Sequence, residues 1–404
     1  MALFSILLFL LIIGPEVGGA SAAANNNVDS LKPGVVDSNK PTGSAIEKDN
    51  DPTDVTDEIT EPKVSFQLKY DKYPLTYIYL LIRNDAVNIR KGPSIEEAVL
   101  KTVSKNEKLN YIETVTNNGS WYHVTWEEAG TRYFGFVNAD VAVKRFFQFD
   151  KMHQEVIKTE KEAGKGPLTY IGNYHNLKGW APLYQGEELD KNGGRRSQSA
   201  PGYPDPSNLN EFVYLGDGTL IRVLDRGSDY TRVSPVKNIQ QIYYVPNKYV
   251  VMPAAVSEIK KAVVIDRANQ NEAVFEKIGT EWKIISYTLA TTGKTGKYHQ
   301  PTPLGCYYAI EKRERFYYYE DGTTKIQGYA PYAIRFAGGA YLHGVPVNYK
   351  FKSDGGRIDP GKVEYSKTLG TEPLSHKCVR NYTSHAKFLY DSYTPGEMIV
   401  IVME

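Results

Sequence analysis

The chain has 404 residues, enough for two or three domains with buried cores. Its 48 Lys+Arg against 47 Asp+Glu leave a formal net charge of +1, which points to neither a nucleic-acid binder nor an acidic tail protein. Two cysteines, Cys306 and Cys378, exclude a disulfide framework, a four-thiolate zinc site and a cysteine-ligated iron–sulfur cluster. The 31 Tyr against 5 Met lean the chain toward a mainly β fold, because Tyr is a strand former with an amphipathic ring.

Residues 3–13 (LFSILLFLLII) form an apolar run of signal-peptide length, and Ala20-Ser21-Ala22 offers a small-residue cleavage site. Residues 1–24 are therefore predicted to direct export to the cell wall or the extracellular space. The run is short for a membrane span, so the chain meets a membrane only if this segment stays uncleaved. Residues 25–66 carry nine acids and four bases, with no aromatic residue before Phe66. Such a stretch buries too little apolar surface to offset its ordering entropy and is predicted to be a disordered acidic linker.

From Leu75 the text changes to short alternating runs separated by Gly, Asn and Pro, which predicts strands, with Asn117-Asn118-Gly119 as a hairpin turn. The sequence Val87-Asn88-Ile89-Arg90-Lys91-Gly92-Pro93-Ser94, then Trp121-Tyr122-His123-Val124 and Phe134-Gly135-Phe136-Val137, resembles a bacterial SH3-like domain over residues 75–146. That resemblance implies binding to cell-wall polymer. Residues 168–252 echo the same order of strand, turn, aromatic strand and return strand from Thr219 to Pro246, and are read as a second, divergent SH3-like domain in which Asp190 to Asn210 is a long loop. The charged stretch Gln148 to Ala163 between the two is a candidate helix.

Residues 260–404 open with a hairpin, Ala262-Val263-Val264-Ile265-Asp266 and Glu272-Ala273-Val274-Phe275-Glu276, and close with a strand from Met398 to Val402. A helix is expected from Ser384 to Tyr393, capped by Thr383 or Ser384, with Pro395-Gly396 past its end. The chemistry-bearing stretch is Leu374-Ser375-His376-Lys377-Cys378-Val379-Arg380-Asn381, where a thiol among His, Lys and Arg sits in positive potential that favours the nucleophilic thiolate. By itself this is equally a half-buried structural cysteine. Upstream, Tyr341-Leu342-His343-Gly344 places a second His after a strand, and Thr302-Pro303-Leu304-Gly305 supplies a tight turn.

In this order, the hairpin, Thr291-Thr292-Gly293-Lys294, the Thr-Pro-Leu-Gly turn, His-Gly, Ser-His-x-Cys-Val-Arg and a closing helix and strand resemble the L,D-transpeptidase (YkuD-like) catalytic domain. The fold expected is then one or two small SH3-like barrels followed by a β-rich catalytic domain with a short C-terminal helix. The resemblance implies that Cys378 is the nucleophile on a peptidoglycan stem tetrapeptide, releasing D-Ala, and that His343 is the general base serving first the thiol and then an acceptor stem. It implies an oxyanion site in the backbone around His376, Lys377 and Cys378. Ser375, Arg380, Gly344 and Tyr341 would shape that loop or meet substrate. Lys377 stands where the family commonly has Gly, and a longer insertion containing Lys352 to Arg357, a surface lobe or lid, separates His343 from Cys378.

Cys306 lies in an apolar stretch and reads as buried and inert. Tyr317, Tyr318 and Tyr319 either line a flap over the acyl groove or pack as ordinary strand residues. The seven histidines show no metal-ligand spacing, and no phosphate loop or dinucleotide fingerprint is present, so neither a metal nor another cofactor is expected. Two further readings stay open: an L,D-carboxypeptidase that uses water as acceptor, and a wall-binding protein without activity. The near-neutral charge is an average of opposites. Residues 1–24 carry −1 and residues 25–66 carry −5, leaving 44 bases and 37 acids, a net of +7, for the remainder.

Overall fold

The computed structural model describes residues 61–404 apart from Pro74, Ile239, Ala254 and Ser257; the signal segment and the linker through residue 60 lie outside the described residues. Residues 61–66, the end of the expected linker, run along the C-terminal unit: Phe66 bridges to Ile284 in parallel, Gln67 N–H donates to Ile284 O at 2.9 Å, and Val64 is buried. The molecule is mainly β, with an N-terminal antiparallel module and a β-rich C-terminal part carrying a short helix.

In the first unit, seven antiparallel strands from Ile78–Ile82 to Ala142–Phe146 form one sheet, in which the last strand returns beside the first. Period-2 alternation sends Leu80, Ile82, Ile89, Val124 and Val137 into its core. The predicted hairpin turn is present between Lys108–Thr116 and Ser120–Glu128, with φ of +44° at Asn118 and +128° at Gly119, the left-handed region that Asn and Gly tolerate.

The helix Phe149–Ala163 follows. Phe149, Met152 and Val156 recur at helical spacing and bury one face against Val264, Phe275 and Ile401, while Glu160 accepts from Trp282 Nε1 at 2.8 Å. The middle unit holds a four-stranded antiparallel sheet (Leu168–Tyr170, Leu220–Arg226, Tyr230–Pro235, Tyr243–Pro246) and a separate pair, Ser199–Gly202 with Val213–Gly216. Its strand path differs from the seven-stranded path of the first unit. Part of the stretch expected to be loop is therefore strand. Its polar turn is pinned by Asp190, whose carboxylate accepts from the N–H groups of Asn192, Gly194 and Tyr214 at 2.6–2.8 Å.

The third unit packs two sheets. One has the order Glu281–Leu289, Asn271–Ile278, Lys261–Asp266, Met398–Met403, Gly305–Tyr308, with the C-terminal strand parallel to Lys261–Asp266. The other has the order Glu311–Tyr319, Ile326–Ala337, Ala340–His343, Val379–Arg380. The Lys261–Asp266 strand reads as continuous apolar because both its faces are covered. Val263 and Ile265 meet Ile334, Phe336, Leu342 and Val379 of the second sheet, and Ala262 and Val264 meet the Phe149–Ala163 helix. The C-terminal helix spans Thr383–Asp391 with no side-chain cap of its own. Glu364, 20 residues upstream, accepts from the Ser384 N–H at 3.0 Å instead and adds a negative charge at the helix N-terminus.

Beneath this helix Ser286 Oγ is hydrogen-bonded to His385 Nε2 (3.0 Å), and Glu272 Oε1 lies 3.4 Å from His385 Nδ1 without a hydrogen bond between them. Burial pushes the Glu272 carboxyl up to about 8 and His385 down to about 3, so both are neutral in the folded protein near pH 6. The raised Glu272 value makes its contribution fully present below the unfolded carboxylate value and lost as pH rises toward 8. The depressed His385 value makes its contribution fully present above about pH 6.5 and lost as pH falls toward 3. Replacing Glu272 by Gln, which carries no titrating proton, is expected to flatten the loss of stability between pH 6.5 and 8 by up to about 1.4 kcal/mol per pH unit. Melting temperatures of the two proteins across that range check this; parallel curves would refute it.

Candidate active site

The site follows from two rungs of parallel pairing. Leu342 lies opposite Val379 and His343 opposite Arg380, and Leu342 and Val379 point into the core between the sheets. Alternation along each strand then turns Tyr341 and His343, and Cys378 and Arg380, to the other face. Cys378 sits there among Phe316, Tyr318, Ala330, Ala333 and Tyr341, almost fully buried, with its thiol 3.7 Å from Gly339 O.

His343 Nδ1 is 2.6 Å from Gly344 O. A carbonyl only accepts, so Nδ1 carries the proton and Nε2 keeps its lone pair as the basic atom. Burial, followed by the nearby Arg380 charge, pushes His343 down to about 4, partly offset by the bond to Gly344. The imidazole is thus neutral and ready to accept a proton throughout the range around neutrality. Arg380 is itself buried, its charge and that of Cys378 interact, and its Nε and Nη2 have no hydrogen-bond partner among the described residues. It is the cation nearest in kind to what a thiolate or a carboxylate needs.

The loop before Cys378 is held from below by its carbonyls. Lys294 N–H donates to Ser375 O at 3.0 Å and Gln300 N–H to His376 O at 2.5 Å. The Thr302 hydroxyl donates to Lys377 O at 2.9 Å and accepts from Gly293 N–H at 2.8 Å, and the Ser375 hydroxyl donates to Cys378 O at 2.5 Å. Ser375, fully buried, therefore pins the loop. Thr291 exchanges both backbone bonds with Arg380 at 2.9 and 3.0 Å and closes the far side of the Val379–Arg380 strand. Lys377 does not adopt a left-handed φ, so a side chain in place of the family's Gly costs no backbone strain. Gly293 is where the close approach falls: a Cβ there would lie 2.8 Å from Lys377 Cα.

The other residues expected at the site take distinct places. Tyr341 is fully buried in one cluster with Cys378, its ring stacked on Phe316 at 4.2 Å and its hydroxyl 2.9 Å from that of Tyr174, so it packs as core. Gly344 packs where a Cβ would meet Thr383 Oγ1 at 2.7 Å. His376 Nε2 lies 2.7 Å from Asp321 Oδ1. Burial, then His299, Arg380, Lys294 and His343, press His376 down to about 3 and outweigh that carboxylate, so the contact is a hydrogen bond from a neutral ring. Tyr318 faces inward with its hydroxyl on Asn348, whereas Tyr317 faces out. The Gly-rich insertion folds as an exposed hairpin, Lys350–Phe351 with Arg357–Ile358. Cys306 lies buried on the other sheet, pushed up to about 12 by desolvation, and both cysteines are free.

Sequence reasoning missed Thr302 as a hub, reading it only as part of a turn, and missed Asp321 and His299. The ligand atoms of His299, Asp321 and His376 lie within 4.8 Å of one another, which makes them the candidate cation-binding group among the described residues. Yet the two rings stack at 3.8 Å, so their lone pairs run side by side and would have to turn apart to converge on bonds of about 2.1 Å.

Residues 260–402 match the family model of the L,D-transpeptidase catalytic domain (YkuD), and residues 85–141 that of a bacterial SH3 domain. In the chain the bacterial SH3 domain lies upstream of the L,D-transpeptidase catalytic domain. Among solved structures, it is similar to a fused Zn-dependent amidase/peptidase/peptidoglycan-binding domain-containing protein from Clostridium acetobutylicum (21% identity, 36% of this chain and 52% of that one, TM-score 0.25), so that it spans about half of that protein's length. It is also similar to an L,D-transpeptidase from Mycobacterium smegmatis (17% identity, 46% and 82%, TM-score 0.29) and one from Mycobacterium tuberculosis (18%, 41% and 73%, TM-score 0.27). At these scores the assignment rests on the domain matches. No curated protein matches the chain.

Thr302→Val keeps the shape of the side chain and removes its hydroxyl, and with it the buried bonds to Lys377 O and from Gly293 N–H. A loss of about 1–3 kcal/mol in stability and a slowed alkylation of Cys378 by iodoacetamide are expected, with Thr302→Ser restoring both. Thermal melting and intact-mass kinetics read the two effects.

Proposed function

We propose that this protein is an exported peptidoglycan L,D-transpeptidase that works through an acyl-enzyme on Cys378. The observation that carries the reading is the fixed tautomer of His343: with Nδ1–H held by Gly344 O, Nε2 is left as a neutral base on the same sheet face as the thiol. The Cys378 thiol gives its proton to His343 Nε2 as sulfur attacks the carbonyl of the third residue of a stem tetrapeptide. The C–N bond to the terminal D-Ala then breaks, and the imidazolium returns its proton to the departing amine. An acceptor amine next attacks the thioester, His343 takes the amine proton, and the thiol is regenerated with a new amide bond formed.

The oxyanion is assigned to the backbone N–H groups of His376, Lys377 and Cys378. Support comes from the four successive carbonyls of residues 375–378, all bonded to donors beneath the loop. A donor of this kind contributes about 3 kcal/mol. Arg380 adds positive charge beside the sulfur. The bacterial SH3 domain and the net charge of +7 beyond the linker fit docking on an anionic wall polymer outside the cytoplasm, an attraction that salt screens.

Cys378→Ala is expected to abolish acyl transfer with folding intact, whereas Cys306→Ser leaves it within about twofold. Incubation with a carbapenem followed by intact-mass measurement should show one covalent adduct on the wild type and none on Cys378→Ala; turnover surviving in Cys378→Ala would end this mechanism. Because burial lowers His343 to about 4, the acid limb of kcat/KM is expected near pH 4 and not near the ordinary histidine value. A limb centred near 6.5 would show that the base is another group. Muropeptide analysis separates cross-linking from hydrolysis, since dimers require an amine acceptor and trimmed tripeptides alone require only water.

A further inference from the structure

The surface beside Cys378 is not closed by catalytic-domain residues alone. Gly338 N–H donates to Asp217 O at 3.2 Å and Tyr308 N–H to Gly218 O at 2.9 Å, both acceptors belonging to the middle unit. Gly218 has φ of +85°, and a Cβ there would fall 1.8 Å from Phe336 O, so backbone lies directly on backbone. The Asp217 carboxylate forms a buried ion pair with Arg335, whose guanidinium lies 3.9 Å over the Tyr174 ring. Tyr174 in turn shares a hydrogen bond with Tyr341, which packs in one cluster with Cys378.

The same unit reaches the rim. A Cβ on Gly338 would lie 3.2 Å from Lys377 Nζ and 3.6 Å from Gln198 Oε1, so a side chain from each unit meets over the turn whose Gly339 O touches the Cys378 thiol. Gln198 is held by its own neighbours: its N–H donates to Asn176 Oδ1 at 2.7 Å and its Oε1 accepts from His175 N–H at 3.1 Å. His175, Asn176 and Gln198 all take φ between +53° and +57°, a region that non-glycine residues seldom occupy and that the surrounding contacts must hold.

We propose that the acyl-donor cleft is shared between two units of the chain. The turn Tyr174–Asn176 and Gln198 form its wall on the Lys377 side, and Tyr174, acting through Tyr341, is a positioning residue for the face that carries Cys378. An amide from Gln198 beside the Lys377 ammonium suits a donor peptide bearing carboxylates. The identity of the ligand rests on the acyl-transfer reading above; the shared wall does not.

The test uses the full chain with Gln198→Ala and Tyr174→Phe, and with Leu209→Ser, an exposed position elsewhere on the middle unit, as control. Three quantities are measured: KM and kcat for a stem tetrapeptide donor, the rate of Cys378 alkylation by iodoacetamide with peptide mapping, and the melting temperature. Gln198→Ala is expected to raise donor KM about fivefold with kcat within about twofold, and Tyr174→Phe to lower kcat about tenfold with little change in KM. Both should alter Cys378 alkylation by about threefold or more, and Leu209→Ser should change none of these. Unchanged KM in Gln198→Ala, or a Tyr174→Phe variant that shifts only the melting temperature, would show the contacts to be structural glue and overturn the proposal. If the wild type turns over no tetrapeptide, the acyl-transfer reading fails, and alkylation still decides the shared wall: unchanged rates in both variants refute it.

Discussion

Two rungs of parallel pairing between Ala340–His343 and Val379–Arg380 carry the arrangement on which the site depends. They bring together residues 35 apart in sequence and, through period-2 alternation, decide that His343 and Cys378 share a face while Leu342 and Val379 are buried behind them. A parallel ladder this short has little stability of its own. The surrounding bonds supply it: Thr291 on the outer edge of the strand, and Thr302, Ser375, Lys294 and Gln300 beneath the loop. Cys378 is thereby seated beside the sheet, at the end of a loop whose carbonyls are already committed.

Burial then sets the charge states. His343, His376 and His385 are all driven toward the neutral form by desolvation, each in a different setting: one with its tautomer locked by a carbonyl, one bonded to Asp321, one beneath a helix. Arg380 is the exception, a cation kept inside because guanidinium is too basic to discharge. A neutral imidazole and a fixed cation thus share one face with the thiol. Cys306 shows the contrast, since desolvation outweighs the Thr159 hydrogen bond and the nearby Lys237 charge and pushes its thiol up to about 12.

The larger arrangement serves the same face. The first catalytic sheet is covered on one side by the Phe149–Ala163 helix and on the other by the sheet that bears the site, so the connector helix and the residues after the linker are parts of the catalytic unit's core. The middle unit is joined to it by backbone contact at Gly218 and by a buried ion pair between Asp217 and Arg335.

Much of this was legible in the sequence. The first antiparallel module, the Asn-Gly hairpin, the connector helix, the closing helix and strand, the order of the family's motifs and the burial of Cys306 all follow from local signals: alternation, turn chemistry and residue type. The helix cap was not legible, because Glu364 reaches it from 20 residues away, and neither were Thr302, Asp321 and His299, because a hydroxyl or imidazole has the same letter whether it holds a loop or faces solvent. Part of the Asp190 to Asn210 stretch was misread for the same reason: its polar text hides a strand stabilised by pairing with a later one. The sequence by itself determined which residue types are available and the period on which they alternate. Only the tertiary structure decided which faces meet, which charges lose their water and which units touch, because each of those depends on groups far apart in the chain sharing one low-dielectric place.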